Sequence, residues 1–564
     1  MATEAAGAGS WRPPRSMPWA RVMGLRSIYA KTTRDSRRAA LLVGIVGGLF
    51  MFGTGAPYGR APEFATPELR QQFINGILSL PAAIQGLLGQ PINLETLGGF
   101  LSWRVGNIMP VMFGLWPVLA LSGTLAGEAA RGSLDLLAST PQGRRSIALQ
   151  KLAGHVTALI AAMLILATLI WLVGVAFASL PGDEIPFSAA LGQVTLYGLL
   201  MLAAGSVAFA AAPTLGRTRA MGLGLVALFA PYLISSYATM SPAIEALTPL
   251  SWYTWTAGHR PMAGVTDWAS LIPLAFATAA FLAVGVVTFI RRDLGDTAVI
   301  AWLRLPALPA GIHGPFTRQL ADRTAIAIAW GVGTGLYGVL IVVSADAFSK
   351  SLASLPQIEA LISAIYPGID LHQPSGLLQL AFYGFASFIV GLAGASFLTA
   401  WAGDENGGRL AVVMSVPITR TRWMFHSGAG VYAAIGVLTA CLAAIIGVAV
   451  ATQGGDVVAP VLGIGILGLA STAFAGIGLA AGGLVRASLA AAVTAGVVIA
   501  TFLLDTLGAA LKLPDWILQL SLFKHLGQPM AGIYDLSGIL AAVVLAVGGL
   551  ALGAWGLQRR DLER

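Results

Sequence analysis

The sequence predicts an all-α, polytopic membrane protein with about twelve transmembrane helices, arranged as two parallel six-helix repeats. The first observation is composition: 56% of the 564 residues are apolar, 10% are charged, and the mean hydropathy is +0.79. Such a chain cannot present a water-facing surface throughout. The second is that apolar runs of about 20 residues recur, which suits helices crossing a hydrocarbon core of about 30 Å. The third is an internal repeat.

The N-terminal residues 1–38 are predicted to form a cytoplasmic tail with an amphipathic elbow helix. Between Trp19 and Ala39, apolar residues are interspersed with arginine and lysine, which is typical of a helix lying along the membrane surface. The segment is too long and too charged for a cleaved signal peptide. The first six-helix half is predicted over 39–290.

Two motifs near the end of each half reveal the repeat. Pro-Met-Ala-Gly at 261–264 recurs at 529–532, and Arg-Arg-Asp-Leu at 291–294 recurs at 559–562. A constant offset of 268 over such a distance indicates duplication. A basic, proline-containing cytoplasmic linker is predicted over 291–323, the second half over 324–558 and a cytoplasmic C-terminus over 559–564. Short outer helices are expected within 69–88 and 352–365.

Basic residues are distributed unequally between the two sides of this topology. If the N-terminus is cytoplasmic, 26 of the 33 lysines and arginines fall in cytoplasmic segments. Basic residues are enriched on the cytoplasmic side of membrane proteins. Both termini are therefore predicted to be cytoplasmic, and the net charge of +8 needs no nucleic-acid partner.

The loop after the second helix of each half carries another duplicated motif, with an offset of 276. Its apolar residues have helical spacing, and a glycine and a proline bound about two turns. This short helix either docks into a partner or lies on lipid headgroups, and its duplication in register favours docking. The residues concerned are Glu128, Gly132, Leu134, Leu137, Ser139, Pro141 and Arg144 in the first copy, and Asp404, Glu405, Gly408, Leu410, Val413, Pro417 and Arg420 in the second.

This loop pattern resembles that of ABC-2 type transporter permeases, and the N-terminus resembles their elbow helix. The duplication resembles the fused permeases of actinobacterial drug exporters related to tetronasin resistance. The resemblance implies a type V exporter-like fold in a bacterial plasma membrane, served by two copies of a separate ABC ATPase that contact the loops as coupling helices. The second copy departs from the pattern at Asp404-Glu405 and Val413-Met414, so the two contacts are expected to be unequal.

No energy source or metal site is predicted within the chain. The sequence contains no Gly-Lys dipeptide, and therefore lacks the P-loop that binds nucleotide phosphates. ATP and Mg²⁺ are expected on the partner ATPase, so this chain is not expected to be an enzyme. Cys441 is the single cysteine and the six histidines are scattered, which gives no ligand spacing for a metal.

The resemblance also suggests that the second and fifth helices of each half line the transport pathway. Aromatic and methionine side chains there form an adaptable apolar wall, although packing or lipid contact is the alternative for each one. Asp505 is the one acid placed within an apolar run, either as a cation or cargo contact or at the outer surface. The candidates are Asn107, Met112, Phe113, Trp116, Phe229, Tyr232, Phe382, Phe385, Phe388, Phe502 and Asp505.

The expected function is therefore that of an exporter permease for hydrophobic or amphipathic compounds, such as antibiotics, drugs or lipids. A proton-coupled secondary multidrug transporter is disfavoured, because such carriers usually need several buried ionisable groups. A membrane-embedded transferase is also disfavoured. Its best acidic pair, Asp183-Glu184, is isolated and is interpreted as a solvated turn.

Overall fold

The computed structural model confirms the predicted fold class. Within the described residues, eleven helices are long and apolar enough to cross a membrane, and two further helices joined at a 50° bend make a twelfth span. The structure describes residues 27–60, 64–78, 91–129, 142–238, 242–291, 314–353, 368–507 and 513–561.

The twelve spans divide equally between the halves. Spans 1 to 6 are Ile28–Arg60, the composite of Leu97–Leu101, Ser102–Gly106 and Met109–Gly123, then Arg144–Phe177, Phe187–Leu215, Arg217–Tyr237 and Leu271–Arg291. Spans 7 to 12 are Pro315–Val343, the composite of Pro374–Leu377, Leu378–Tyr383 and Gly384–Asn406, then Arg420–Thr452, Val458–Leu484, Leu489–Leu507 and Leu536–Arg559. Ser102–Gly106 and Leu378–Tyr383 are π-helical turns, 276 residues apart.

Shorter elements connect the spans. The short helices are Pro67–Leu78, Ala126–Ala129, Pro242–Glu245, Thr248–Leu250, Trp252–Trp255, Pro261–Ala263, Ala345–Ala353, Arg409–Val413, Asp515–Leu518, Phe523–Leu526 and Pro529–Ala531. Two short antiparallel strands, Gly527–Gln528 and Ile533–Tyr534, form a hairpin. We call the end of the bundle that holds residues 28, 128 and 559 the terminal end, and the end that holds residues 60, 183 and 260 the distal end.

The two halves pack their spans in the same way. Spans 1 and 3 pack along each other as do spans 7 and 9, and spans 4 and 6 pair as do spans 10 and 12. Between the halves, span 5 contacts span 7 and span 11 contacts span 1. The first span of each half thus meets the fifth span of the other, as a pseudo-two-fold relation requires.

Small residues allow the close packing of spans 1 and 3 and of spans 7 and 9. A Cβ added to Gly44 would lie 2.8 Å from the Cβ of Ile165, and one added to Gly331 would lie 2.7 Å from the carbonyl oxygen of Leu438. Helices in membranes associate through such small residues, because lipid gives no hydrophobic driving force between them.

The duplicated Pro-Met-Ala-Gly motif folds alike in both halves. Gly264 and Gly532 both adopt a left-handed backbone, with φ of 78° and 80°. Arg260 bridges to Val265, and Gln528 pairs with Ile533 at the same offset of 268. The sequence repeat is therefore also a repeat of backbone conformation.

The first span of each half begins earlier than predicted. Residues 28–38 are continuous with span 1, so the described part of the predicted elbow is not a separate surface helix, and residues 315–323 of the predicted linker begin span 7. Each extension carries an ion pair four residues apart, Lys31–Asp35 and Arg318–Asp322, which supports helix where no apolar run signals it. The outer helix predicted within 69–88 corresponds to Pro67–Leu78, whereas most of 352–365 lies outside the described residues.

Candidate functional site

The first copy of the duplicated loop is described only at its two ends. Gly132, Leu134, Leu137, Ser139 and Pro141 lie outside the described residues.

At the start of this loop, Glu128 faces the bundle, where its carboxylate lies 2.6 Å from the Nζ of the buried Lys151 in span 3. At its end, Arg144 donates from Nη1 to the carbonyl oxygen of Ile290 in span 6, over 3.5 Å. The sequence predicts that Glu128 and Arg144 contact a partner protein. In the structure, both side chains bind residues of the first half.

The acids of the second loop are also held inside the chain. Asp404 accepts hydrogen bonds from Nη2 of Arg318 at 3.0 Å and from Nε2 of Gln319 at 2.7 Å, both on span 7. Glu405 is buried and forms an ion pair with Arg560 just after span 12. Both acids anchor the loop to neighbouring spans, which accounts for their burial.

The helix of the second loop is shorter than the predicted two turns, because only Arg409–Val413 is helical after the left-handed Gly408. Leu410 is 1% exposed and packs into the core of the second half, and Val413 is half-buried against that core. The predicted docking face therefore points inward. The apolar side chains that face outward are Val412 at 71% and Val416 at 56% exposure.

The two remaining members of the second motif follow this helix. Pro417 is exposed, whereas Arg420 donates from Nη1 to the carbonyl oxygens of Leu557 and Arg560. Arg420 therefore joins the start of span 9 to the end of span 12, as Arg144 joins spans 3 and 6.

A polar cavity of about 190 Å³ lies at the terminal end of the first half. His155 of span 3 joins its walls through Nδ1 to the Ser36 hydroxyl at 3.0 Å and through Nε2 to the Thr124 hydroxyl at 3.1 Å. The lining residues are Lys31, Thr32, Asp35, Ala120, Gly123, Thr124, Glu128, His155 and Arg217.

Three of the predicted pathway residues meet where the halves join. The rings of Phe388 and Phe502 lie 4.5 Å apart, Phe502 reaches Phe50 of span 1 at 5.9 Å, and Met112 of span 2 packs against the same cluster. An apolar aromatic cluster therefore occupies the junction of spans 1, 2, 8 and 11.

The other pathway candidates lie elsewhere. Phe382 is fully buried and, with Phe385, contacts Tyr337 inside the second half. Tyr232 packs edge-on against Tyr253 at 5.6 Å. The remaining first-half candidates belong to or pack against the first-half core, and these are Phe113, Trp116 and Phe229. Asn107 is half-buried at the bend of span 2. Asp505 is exposed in the last turn of span 11, at the distal end.

Asp183 is buried, which contradicts the interpretation of Asp183-Glu184 as a solvated turn. Its carboxylate is fully buried and accepts from both terminal nitrogens of Arg70, at 2.8 and 3.0 Å, and from the backbone nitrogen of Leu97 at 2.9 Å. Burial would raise the pKa of Asp183, but the hydrogen bonds from Arg70 and three backbone amides outweigh it and lower the pKa. The residue is therefore an ionised anchor for the distal loops.

Comparisons with known proteins cover nearly the whole chain. Residues 26–294 match the family model described as ABC-2 family transporter protein. Residues 313–558 match the model for the C-terminal domain of the multidrug efflux system permease Rv1217c. The first half of the chain is thus an ABC-2 family transporter permease domain, and the second half matches the C-terminal domain of a multidrug efflux permease. The chain is also 23% identical to the multidrug efflux system permease protein Rv1217c of Mycobacterium tuberculosis, over 99% of this chain and 98% of that protein.

Several residues that hold the loops of this permease were missed by the sequence analysis. Lys151, Arg318 and Gln319 lie in stretches where no motif singles them out. Arg560, however, belongs to the duplicated Arg-Arg-Asp-Leu motif, so the repeat itself was a signal for it. Within the described residues there is no cluster of histidine, cysteine and acidic side chains that could hold a metal.

Proposed function

We propose that this chain is the permease subunit of an ATP-binding-cassette exporter that moves hydrophobic or amphipathic compounds out of a bacterial cell. Two copies of a separate ATPase hydrolyse ATP with Mg²⁺, and each contacts one of the duplicated loops. The terminal end faces the cytoplasm and the chain resides in the plasma membrane.

The observation that carries this proposal is the similarity along 99% of the chain to a protein named as a multidrug efflux permease. The geometry of the loops agrees with it. The second loop is fixed to spans 7 and 12 through Asp404 and Glu405, while Val412 and Val416 are left exposed. A loop that is rigidly attached inside and apolar outside can transmit the motion of a docked partner to the spans.

The test is to purify the chain in mild detergent from its own host and to measure the ratio of a Walker-type ATPase to permease. We expect two ATPases per chain. Val412→Asp together with Val416→Asp is expected to lower this ratio toward one, because only the second docking site is changed. Export of a labelled hydrophobic compound should fall with it.

Val458→Asp provides the matched control, since Val458 is 64% exposed but lies at the distal end. This variant should keep both ATPases. If the chain purifies without an ATPase and transports under a proton gradient, it is a secondary carrier and the proposal is wrong.

A further inference from the structure

An arginine at the distal end of the first half has no acidic partner among the described residues. Arg260 is half-buried in the hairpin before span 6, where its Nη1 donates to the carbonyl oxygens of Thr256 at 3.0 Å and His259 at 2.9 Å. No ion pair joins it to a carboxylate of the described residues, and its burial lowers the pKa of the guanidinium. Nε and Nη2 are left for another acceptor.

Besides the neighbouring His259 imidazole, the ionisable side chains that face Arg260 are the phenols of Tyr197 and Tyr253. Both are buried, and neither hydroxyl has a hydrogen-bond partner in the described structure. The Gln193 amide lies beside Tyr197. Its oxygen accepts a hydrogen bond from the backbone nitrogen of Met262 and is therefore already used by another donor. Buried hydroxyls are nearly always hydrogen-bonded. Two hydroxyls and a guanidinium whose partners or counter-ion are missing from the described part of the chain therefore indicate a binding site for a ligand.

The Tyr197 side chain lies against the bend in span 2. A Cβ added to Gly106 would lie 2.3 Å from the Tyr197 hydroxyl, and the 50° bend follows directly after Gly106. Tyr197 is ten residues into span 4, about 15 Å from its start. Irregular backbone at membrane depth is tolerated where it is buried in protein or lines a water-filled cavity, and broken helices form binding sites in transporters.

We infer that Arg260, Tyr197 and Tyr253 form a subsite for an oxyanion carried on an apolar body, such as a carboxylate or phosphate amphiphile. Guanidinium and phenol groups here offer donors, so the complementary ligand is an acceptor. The Nε and Nη2 edge of arginine matches two oxygens of one oxyanion. The inference rests on the proposed function, because it names the class of cargo.

The second half lacks this subsite although its hairpin has the same backbone. At the offset of 268, Gln528 replaces Arg260 and Ser521 replaces Tyr253. Arg260→Gln therefore introduces the residue that the second copy already holds in this conformation. The anion subsite belongs to one half alone.

The test measures binding of radiolabelled dodecanoate to the full-length chain purified in a neutral detergent, without ATPase or transport. The competitors are dodecyl phosphate, which is expected to displace dodecanoate, and dodecanol, which is not. Arg260→Gln is expected to weaken binding about tenfold or more, since charge-assisted hydrogen bonds are lost. Tyr253→Phe should weaken it less, and Arg260→Lys should retain part of it.

Arg486→Gln is the matched control, because it removes an exposed arginine at the terminal end and should leave binding unchanged. Equal binding by wild type and Arg260→Gln, or equal competition by dodecanol, would overturn the inference.

Native mass spectrometry identifies the source of the ligand. An anionic phospholipid retained by wild type and lost in Arg260→Gln assigns the subsite to a lipid headgroup, whereas no retained lipid assigns it to a free amphiphile. Because binding is measured on the permease alone, failure of the exporter proposal and failure of this inference give different results.

Discussion

The distal ends of the two halves share a backbone repeat but differ in charge. In the first half, the buried Asp183 and Arg70 hold the loops together and Arg260 lies beside two buried phenols. In the second half, Asp456 is exposed and accepts a local hydrogen bond from Val458, and Gln528 occupies the place of Arg260. Span 2 bends sharply after its π-turn, whereas span 8 passes through the equivalent turn as one span. The two hairpins therefore share a backbone scaffold, but among the described residues the buried Arg70–Asp183 ion pair occurs only at the distal end of the first half.

The terminal ends differ less, since an acidic side chain at the start of each loop forms an ion pair inside the chain. Glu128 pairs with span 3, whereas Asp404 and Glu405 pair with spans 7 and 12. The start of the loop is thus held in each half, but by different partners. The comparison predicts unequal responses where the halves differ and equal responses where they agree.

The largest difference is expected at the distal acids. Asp183→Ala leaves the Arg70 guanidinium buried without its carboxylate, and should lower the free energy of unfolding by about 3–5 kcal/mol. Asp456→Ala, at an exposed position, should lower it by less than about 1 kcal/mol. Unfolding of the purified variants in a series of SDS concentrations measures both. Similar losses would show that the halves are anchored alike.

A smaller effect is expected at the end of span 12. Arg560→Ala removes the partner of the buried Glu405, and should lower the free energy of unfolding by about 2–3 kcal/mol, since this pair is closer to water than a fully buried one.

The neighbouring Arg559 provides the control, because its guanidinium lies over the exposed Trp555 ring at 4.1 Å. Arg559→Ala should cost less than about 1 kcal/mol. The same SDS titration compares the two variants, and equal losses would remove the special role assigned to Arg560.

Equal effects are expected at the two left-handed glycines. Gly264→Ala and Gly532→Ala each place a side chain at φ near 80°, which costs about 1–2 kcal/mol. The added Cβ makes only ordinary contacts, 3.7 Å from Asn93 and 3.5 Å from Ala459. Measured unfolding free energies that differ by more than the cost itself would contradict the equivalence of the two hairpins.

The smallest effect is expected from pH at Asp183. Because its folded-state pKa is lowered, its contribution to stability is fully present above the unfolded-state value of about 3.9 and is lost as pH falls through the folded-state pKa. The stability difference between wild type and Asp183→Ala should be constant from about pH 8 to pH 5 and shrink below about pH 4. A difference that already shrinks near pH 6 would mean that another group titrates.

The sequence by itself determined the class of this protein, its span count, its internal repeat and its resemblance to ABC-2 permeases. Hydropathy sets the first two, because lipid admits only apolar segments with internally bonded backbone. The repeated motifs set the third, and they persist as one hairpin with one register in both halves. These properties depend on local composition and spacing, which a linear reading preserves.

The tertiary structure decided which apolar side chains of the second loop are exposed, and which polar side chains are buried and paired. Leu410 has the spacing of a docking residue but is buried, while Val412, two positions away, is exposed. Asp183 was expected in a solvated turn, but Arg70, 113 positions earlier in the chain, makes it a buried anchor. No sequence pattern distinguishes Arg260, whose neighbours Tyr197 and Tyr253 are brought to it by the fold. Burial and pairing depend on partners distant in sequence, so only the packed chain specifies them.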